Sequence, residues 1–509
     1  MFFKKHVFLS VSLIAAVLLS SVATVVLAPA KPVQAAGKTI VYNLYATDGW
    51  MTLADGTTLY GYGFVGGRQG ESLTFAKSSK DGSPAANVTL PGGAPAPTGG
   101  PMTTAESVFA GNAQFPAPVI YASVGDVVEI RLKNLGVTAP DAPNDPHSIH
   151  LHGLDVDAAN DGVPETSIGA VPVPETGEES GENENPGAGN VVVYMFTATH
   201  AGTYMYHCHQ EADIHVQMGM FGALVIYNQD DPAAATGPGK GKGGTLYGWH
   251  YDRDYILLLS EVDTNQHESE EFSYNPGFNP VEYKPQYWFI NGLNFPNTIH
   301  VGLNWNNWIA AHPNYDPFIV GSISFKHPGT KVTDGEKVLI RMINMGFETQ
   351  PMHMHGFHGK IIGSDQRAWT WANDPTSTPF GEGLEKNTVT IGSGETYDWL
   401  VDFGQQSMYT ATYAPAVNGL PTSLFKGGTQ TRYDPTTGLP VSNTLTSDPA
   451  IPMPGTDPVS NYDAGPKVTG LHDLPMTGQL FPFHNHDDYK ATNDGEYPGG
   501  MFTMLETLP

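Results

Sequence analysis

Two stretches decide the fold: GDVVEIRLKNLG at 125–136 and GEKVLIRMINMG at 335–346. Each reads as a glycine turn, a strand and a second glycine turn. Working outward, each is followed by a His-x-His-Gly segment, at His150–Gly153 and His353–Gly356. Each body then closes on a second His-x-His and a Gly-Met-Phe strand. These are His207–His209 with Gly219, Met220 and Phe221, and His484–His486 with Gly500, Met501 and Phe502. Short β-branched and aromatic runs recur between Gly/Pro/Asn/Asp clusters, as at Thr39–Tyr45, Val127–Leu132, Val191–Thr197 and Ala223–Tyr227. No long stretch keeps a 3.6-residue apolar period. The expectation is an all-β chain of two tandem Greek-key β-sandwich domains, over 36–229 and 251–509. The run DPAAATGPGKGKGG from Asp231 to Gly244 predicts a linker over 230–250. A Pro/Gly/Thr/Ser-rich stretch over about 414–477 reads as a surface insertion.

Composition narrows the function. The 509 residues hold 51 acids against 24 bases, a formal charge of −27, which argues against nucleic acid and anionic membrane surfaces as partners. One cysteine cannot form an internal disulfide. Residues 1–35 read as an export signal: Lys4, Lys5 and His6 precede an apolar run from Val7 to Ala28, then Val33-Gln34-Ala35 supplies the small residues of a cleavage site. The apolar run is long enough to span a bilayer, so an uncleaved N-terminal anchor is the competing reading. Either way the body works outside the cytoplasm, secreted or at the cell surface, where a lone thiol oxidises unless it is protected.

The histidines carry the strongest chemical signal. Scattering 19 of them at random gives roughly 0.7 His-x-His pairs, and this chain has four, two per repeat at matching places. Residues i and i+2 share one face of a strand, so each pair aims two imidazoles at one place. Neutral imidazole suits copper, zinc and iron. Parity separates a second site. His147 lies three residues before His150 and faces away from His150 and His152; Cys208 faces away from His207 and His209. His215 and Met220 follow Cys208 by seven and twelve residues. Two imidazoles, a thiolate and a thioether form the ligand set of a blue-copper site, and a bound metal would hold and shield the thiolate.

These motifs, with AGTYMYHCH (201–209), HVQMGM (215–220), YWFINGLNFPNT (287–298), QPMHMHG (350–356) and FHNH (483–486), make the chain resemble the multicopper oxidases, laccase-like proteins of tandem cupredoxin domains. The resemblance implies about four coppers per chain and the coupling of one-electron substrate oxidation to reduction of O2 to water. It implies His147, Cys208, His215 and Met220 as type 1 ligands, and His150 and His353 as type 2 ligands. It assigns His152, His207, His209, His355, His484 and His486 to the type 3 pair. Asp161, in NDGVPE, matches the family's acidic residue near type 2 copper and is the expected proton relay. Electrons are expected to enter near His215, on an exposed loop, and to leave through Cys208 to its neighbours His207 and His209.

The second repeat departs from that pattern. Gln350 stands at a type 1 histidine position and Asn485 at the cysteine position, while Met501 survives. A type 1 site in the first domain alone resembles two-domain multicopper oxidases and, in its placement, copper nitrite reductases. Such proteins are usually homotrimers sharing the cluster between one chain's first domain and its neighbour's second. Four complete His-x-His pairs argue against a nitrite reductase, which uses a mononuclear type 2 site; a non-catalytic copper-storage protein is the other alternative. The reducing substrate stays open between phenols or aromatic amines and a metal ion. Glu211 and Asp213 beside His215 read as a cation site or a solvated loop, as does the glutamate-rich run 175–184, and His358 is assigned a supporting place behind the cluster.

Overall fold

The computed structural model describes residues 37–82, 87–172, 189–238, 242–274, 277–299, 323–326, 336–369, 384–402, 429–433, 440–444 and 480–508. Residues 1–35, read above as an export signal, the acidic run 175–184 and all of the 414–477 stretch except two paired strands lie outside them.

The quoted stretches become the central strands Val127–Asn134 and Lys337–Asn344. Strand Thr39–Thr52 runs parallel to the first of these, and Val191–Thr197 runs antiparallel on its other side. Thr58–Arg68 completes this four-stranded sheet. The facing sheet orders Ile120–Ser123, Phe221–Tyr227, Gly202–His207 and His150–His152. Tyr42, Leu44, Val128, Ile130 and Leu132 from one sheet share a core with Leu151, Tyr204, Tyr206, Leu224 and Ile226 from the other. Two sheets closing on one apolar layer is the sandwich solution for strands with one apolar face.

The second body repeats the plan. Arg253–Val262 runs parallel to Lys337–Asn344, which pairs antiparallel with Thr396–Asp402. The facing sheet runs Ile323–Lys326, Phe502–Leu508, Leu480–Asn485, Gln350–Met354 and Thr388–Ile391. Registers match residue for residue. His150 lies opposite His207 and His353 opposite His484; His207 lies opposite Phe221 and His484 opposite Phe502.

Lys38 onward forms one compact unit. Met205, Ala223, Val225 and Tyr227 of the first body pack on Ile256, Leu258, Ile343 and Met345 of the second. The stretch read as a linker over 230–250 carries short paired strands near its end. Gly244–Leu246 pairs with Trp249–Tyr251, and Leu246 and Tyr251 are buried against Leu339, Ile362 and Leu400. Burying a leucine side chain contributes about 1.5–3 kcal/mol, and Leu246 lies just beyond the Gly/Pro/Lys run.

Candidate metal centre

Strand Gly202–His207 delivers Cys208 into the first sandwich, where the Cys208 N–H donates to the Met220 carbonyl at 2.9 Å. His147, Cys208 and His215 gather with their ligand atoms within 4.8 Å of one another. The sulfur lies 3.9 Å from His147 Nδ1 and 3.5 Å from His215 Nδ1. The short helix Ala212–His215 presents His215, and the chain turns back at Gly219, whose φ of +114° and contact with the Phe115 ring exclude a side chain. Met220 is fully buried among the same core residues as Cys208. The Ser148 N–H donates to the sulfur at 3.4 Å and fixes its position. Two imidazoles, one thiolate and a buried thioether fit copper.

Four more imidazoles cluster on the opposite side of the same strands. His150 lies 5.5, 5.0 and 5.2 Å from His152, His207 and His209, ring centre to ring centre. In the second body His353 lies 4.8, 5.7 and 5.0 Å from His355, His484 and His486. His355 Nε2 and His484 Nε2 stand 3.0 Å apart, aimed at one point. The Nδ1 atoms face acceptors that fix the tautomer: His207 on the Cys208 carbonyl and His484 on the Asn485 carbonyl, both at 2.8 Å. His150 Nδ1 is 2.8 Å from the Asp161 carbonyl and 3.2 Å from its Oδ1. His353 Nδ1 meets Thr388 Oγ1 at 2.8 Å. In each of these four rings Nδ1 is engaged, which leaves Nε2 as the nitrogen that could ligate a metal; that of His484 meets His355 Nε2. Burial pushes His207 down to about 3 and lowers His152, His353 and His355, so these rings are neutral, the form that coordinates.

A family model described as multicopper oxidase matches residues 96–230 and 284–410, just over half of the chain. The chain belongs to the multicopper oxidase family. Among curated relatives, copper resistance protein A of Escherichia coli is 28% identical over 157 residues, 31% of this chain and 20% of that protein. L-ascorbate oxidase of Nicotiana tabacum is 30% identical over 191 residues, 37% of this chain and 27% of that protein. The matched stretch thus spans about a quarter or less of these relatives' length. The blue copper oxidase of Nitrosomonas europaea aligns over 92% of this chain and 86% of its own, with 20% identity and a TM-score of 0.47.

In this multicopper oxidase the surroundings of His215 differ from expectation. The loop was expected to be exposed, yet His215 is fully buried. The Tyr62 ring stands edge-on to it at 5.5 Å, and helix Thr264–Glu271 of the second body closes over Tyr62, whose hydroxyl donates to Glu270 Oε2 at 3.4 Å. The His215 imidazole is pushed up to about 10; burial opposes charge, but Cys208 and Asp145 outweigh it. Its Nε2 has no hydrogen-bond partner and lies 3.8 Å from Asp145 Oδ2, which is likewise unpartnered. Asp145, Glu211 and His215 form a second convergent group within 4.8 Å. Burial pushes Glu270, beside them, up to about 7, with Asp145 and Glu211 adding to the rise against His215. Asp213, read together with Glu211 as a cation site or a solvated loop, is exposed and outside this group. Asp145 escaped the sequence reading although it lies two residues before His147; Tyr62 and Glu270 carry no local signal. His358 is exposed.

Proposed function

We propose that the protein is a copper-dependent oxidase that couples one-electron oxidation of a reducing substrate to reduction of O2 to water. The observation that carries this reading is the placement of Cys208: its sulfur joins the His147–His215 site while its two chain neighbours belong to the four-histidine face. Copper bound at both places would supply one-electron acceptance at the thiolate site and O2 reduction at the histidine cluster. The chain's own residues do the rest. Ser148 orients the sulfur, Asp161 holds the His150 tautomer and is assigned the proton delivery, and Tyr62 packs edge-on against the His215 ring. Copper content and spectra test the reading: about four coppers per chain with type 3 absorption agree with it, and two coppers with nitrite turnover refute it.

The reducing substrate we infer is a low-valent metal cation, Mn(II), Fe(II) or Cu(I), supported by the Asp145 and Glu211 carboxylates that converge beside His215. Oxygen consumption is measured with these cations and with phenols. Glu211→Ala is expected to raise KM for the cations and leave phenols unchanged; an equal change for both refutes the assignment.

A trimer sharing clusters between chains accounts for the separation of the two histidine faces. Among the described residues no ring contact joins the first-body set to the second. His355 and His486 are exposed, and Gly394 rather than a second-body histidine borders His152.

A further inference from the structure

In the second body the type 1 positions hold a hydrogen-bonded chain of side chains. The backbone is the same as in the first: the Asn485 N–H donates to the Met501 carbonyl at 2.9 Å, as the Cys208 N–H does to Met220. The side chains differ. Asn485 Nδ2 donates to Gln350 Oε1 at 2.7 Å and approaches Met501 Sδ at 3.4 Å. Gln350 Nε2 donates in turn to Glu261 Oε2 at 2.8 Å. The other oxygen, Oε1, accepts from the Phe347 and Glu348 N–H groups at 2.5 and 3.0 Å and from the Tyr283 hydroxyl at 3.1 Å. Glu261, Gln350 and Asn485 are all buried.

Register explains where Glu261 comes from. Ala46 lies opposite Asn134 and Leu259 opposite Asn344, so Asp48 and Glu261, two residues on, occupy equivalent places. Asp48 accepts the Thr138 and Ala139 N–H groups at 2.8 and 2.9 Å, pinning the turn after the central strand. Glu261 pins the corresponding turn, and its extra methylene carries the second oxygen on to Gln350. Gly346 leaves the necessary room, since a Cβ there would collide with the carboxylate.

The chain has a fixed polarity. Every link donates toward Glu261, and Asn485 Oδ1 at the far end accepts the Asp487 N–H at 2.9 Å. Asn485 lies between His484 and His486, and its carbonyl sets the His484 tautomer. We propose that Glu261 is a positioning residue that, through Gln350 and Asn485, holds His484 and His486 in ligating geometry. It does so by hydrogen bonds where the first body uses the His147–Cys208–His215 set. This rests on His484 and His486 being copper ligands.

The test is copper loading of the full chain at pH 8, above the value of about 7 to which burial pushes Glu261. Glu261→Gln places an amide donor against Gln350 Nε2. Both downstream amides must then flip, and the Asp487 N–H loses its acceptor. Second-body copper affinity is expected to fall 10- to 100-fold, as loss of a ligand's supporting hydrogen bonds does, with loss of type 3 absorption and retention of the blue type 1 band. The swap Glu261→Gln/Gln350→Glu restores every donor–acceptor pair, so it is expected to fold and to recover both, even where Glu261→Gln alone does not fold. Parent-like loading of Glu261→Gln, loss of the blue band with the rest, or failure of the swap to recover overturns the proposal. His484→Ala runs alongside: if it keeps the parent's copper content and type 3 absorption, it is the ligand reading that fails.

Discussion

Replacing Arg341 by methionine tests how the strand that leads to Cys208 is seated between the two bodies. Arg341 is 1% exposed and bonds Asp254 Oδ2 through Nε at 2.8 Å, with Asp398 Oδ1 3.8 Å from NH1. First-body groups complete the cluster: Tyr227 donates to Asp254 at 2.9 Å, and Thr203 donates to Asp398 at 2.6 Å while accepting from Arg341 NH1 at 3.1 Å. Thr203 sits on the strand that ends at His207. Methionine fills much of the volume but removes the guanidinium that bonds one buried carboxylate and lies beside a second, a loss of about 3–5 kcal/mol. For a unit of about 470 residues the unfolding entropy is about 1 kcal/mol/K, so a cooperative melt moves down by about 3–5 °C. The sign with pH is also fixed. Burial already raises the Asp398 pKa, and without Arg341 protonation relieves the repulsion. The deficit is therefore largest at pH 8 and shrinks toward pH 5. Thermal melts of copper-free parent and variant at both pH values measure it. A variant within 1 °C of the parent, on the order of the ~1 kcal/mol scale above, or a deficit that grows on acidification, refutes the reasoning.

Cys208→Ser is expected to abolish the blue band and oxidase turnover while the histidine faces still take up copper; full turnover would remove the proposed role of the thiolate. His484→Ala is expected to lose O2 reduction and keep the blue band, and colour loss with activity intact would contradict the two-site division. If clusters are shared between chains, mixing His484→Ala with His152→Ala chains should restore part of the turnover that neither shows alone, and no recovery after verified subunit exchange counts against the shared arrangement. Glu270 is raised from 4.5 to about 7. Its protonated form is thus favoured by folding, and the copper-free chain loses stability as pH rises across that window, by up to about 1.4 kcal/mol per pH unit. Glu270→Gln should flatten this slope, and an unchanged slope would show that the charge is accommodated elsewhere.

Strand parity made the two sites legible, because it is a local property with a period of two. His150 and His152 had to share a face, and Cys208 had to leave the one holding His207 and His209. The repeat was legible for the same reason: GDVVEIRLKNLG and GEKVLIRMINMG carry their own turns. What stayed hidden was what closes over the sites. EADIH at 211–215 is polar and reads as a wet loop, yet His215 is buried because a helix some fifty residues later in the chain covers it. That helix, TNQHESEE, has no apolar stripe to announce a buried face. It docks through polar contacts instead, His267 Nε2 against Gln217 Oε1 at 2.9 Å and Gln266 Nε2 on the Asp213 carbonyl at 3.0 Å.

The Gln350 and Asn485 substitutions show the same divide from the other side. Sequence shows that the second body lacks a type 1 cysteine and histidine, and that reads as a loss. Register shows that the equivalent positions hold a pair of amides with one consistent direction, anchored on a carboxylate one methylene longer than its first-body counterpart Asp48. A decayed site would leave buried polar groups unsatisfied, at about 1–3 kcal/mol each. Here the two side-chain amides and both carboxylate oxygens have partners. The conversion of the second site from metal ligation to hydrogen bonding is therefore complete in its chemistry, which is what a strand still required to present His484 and His486 would need.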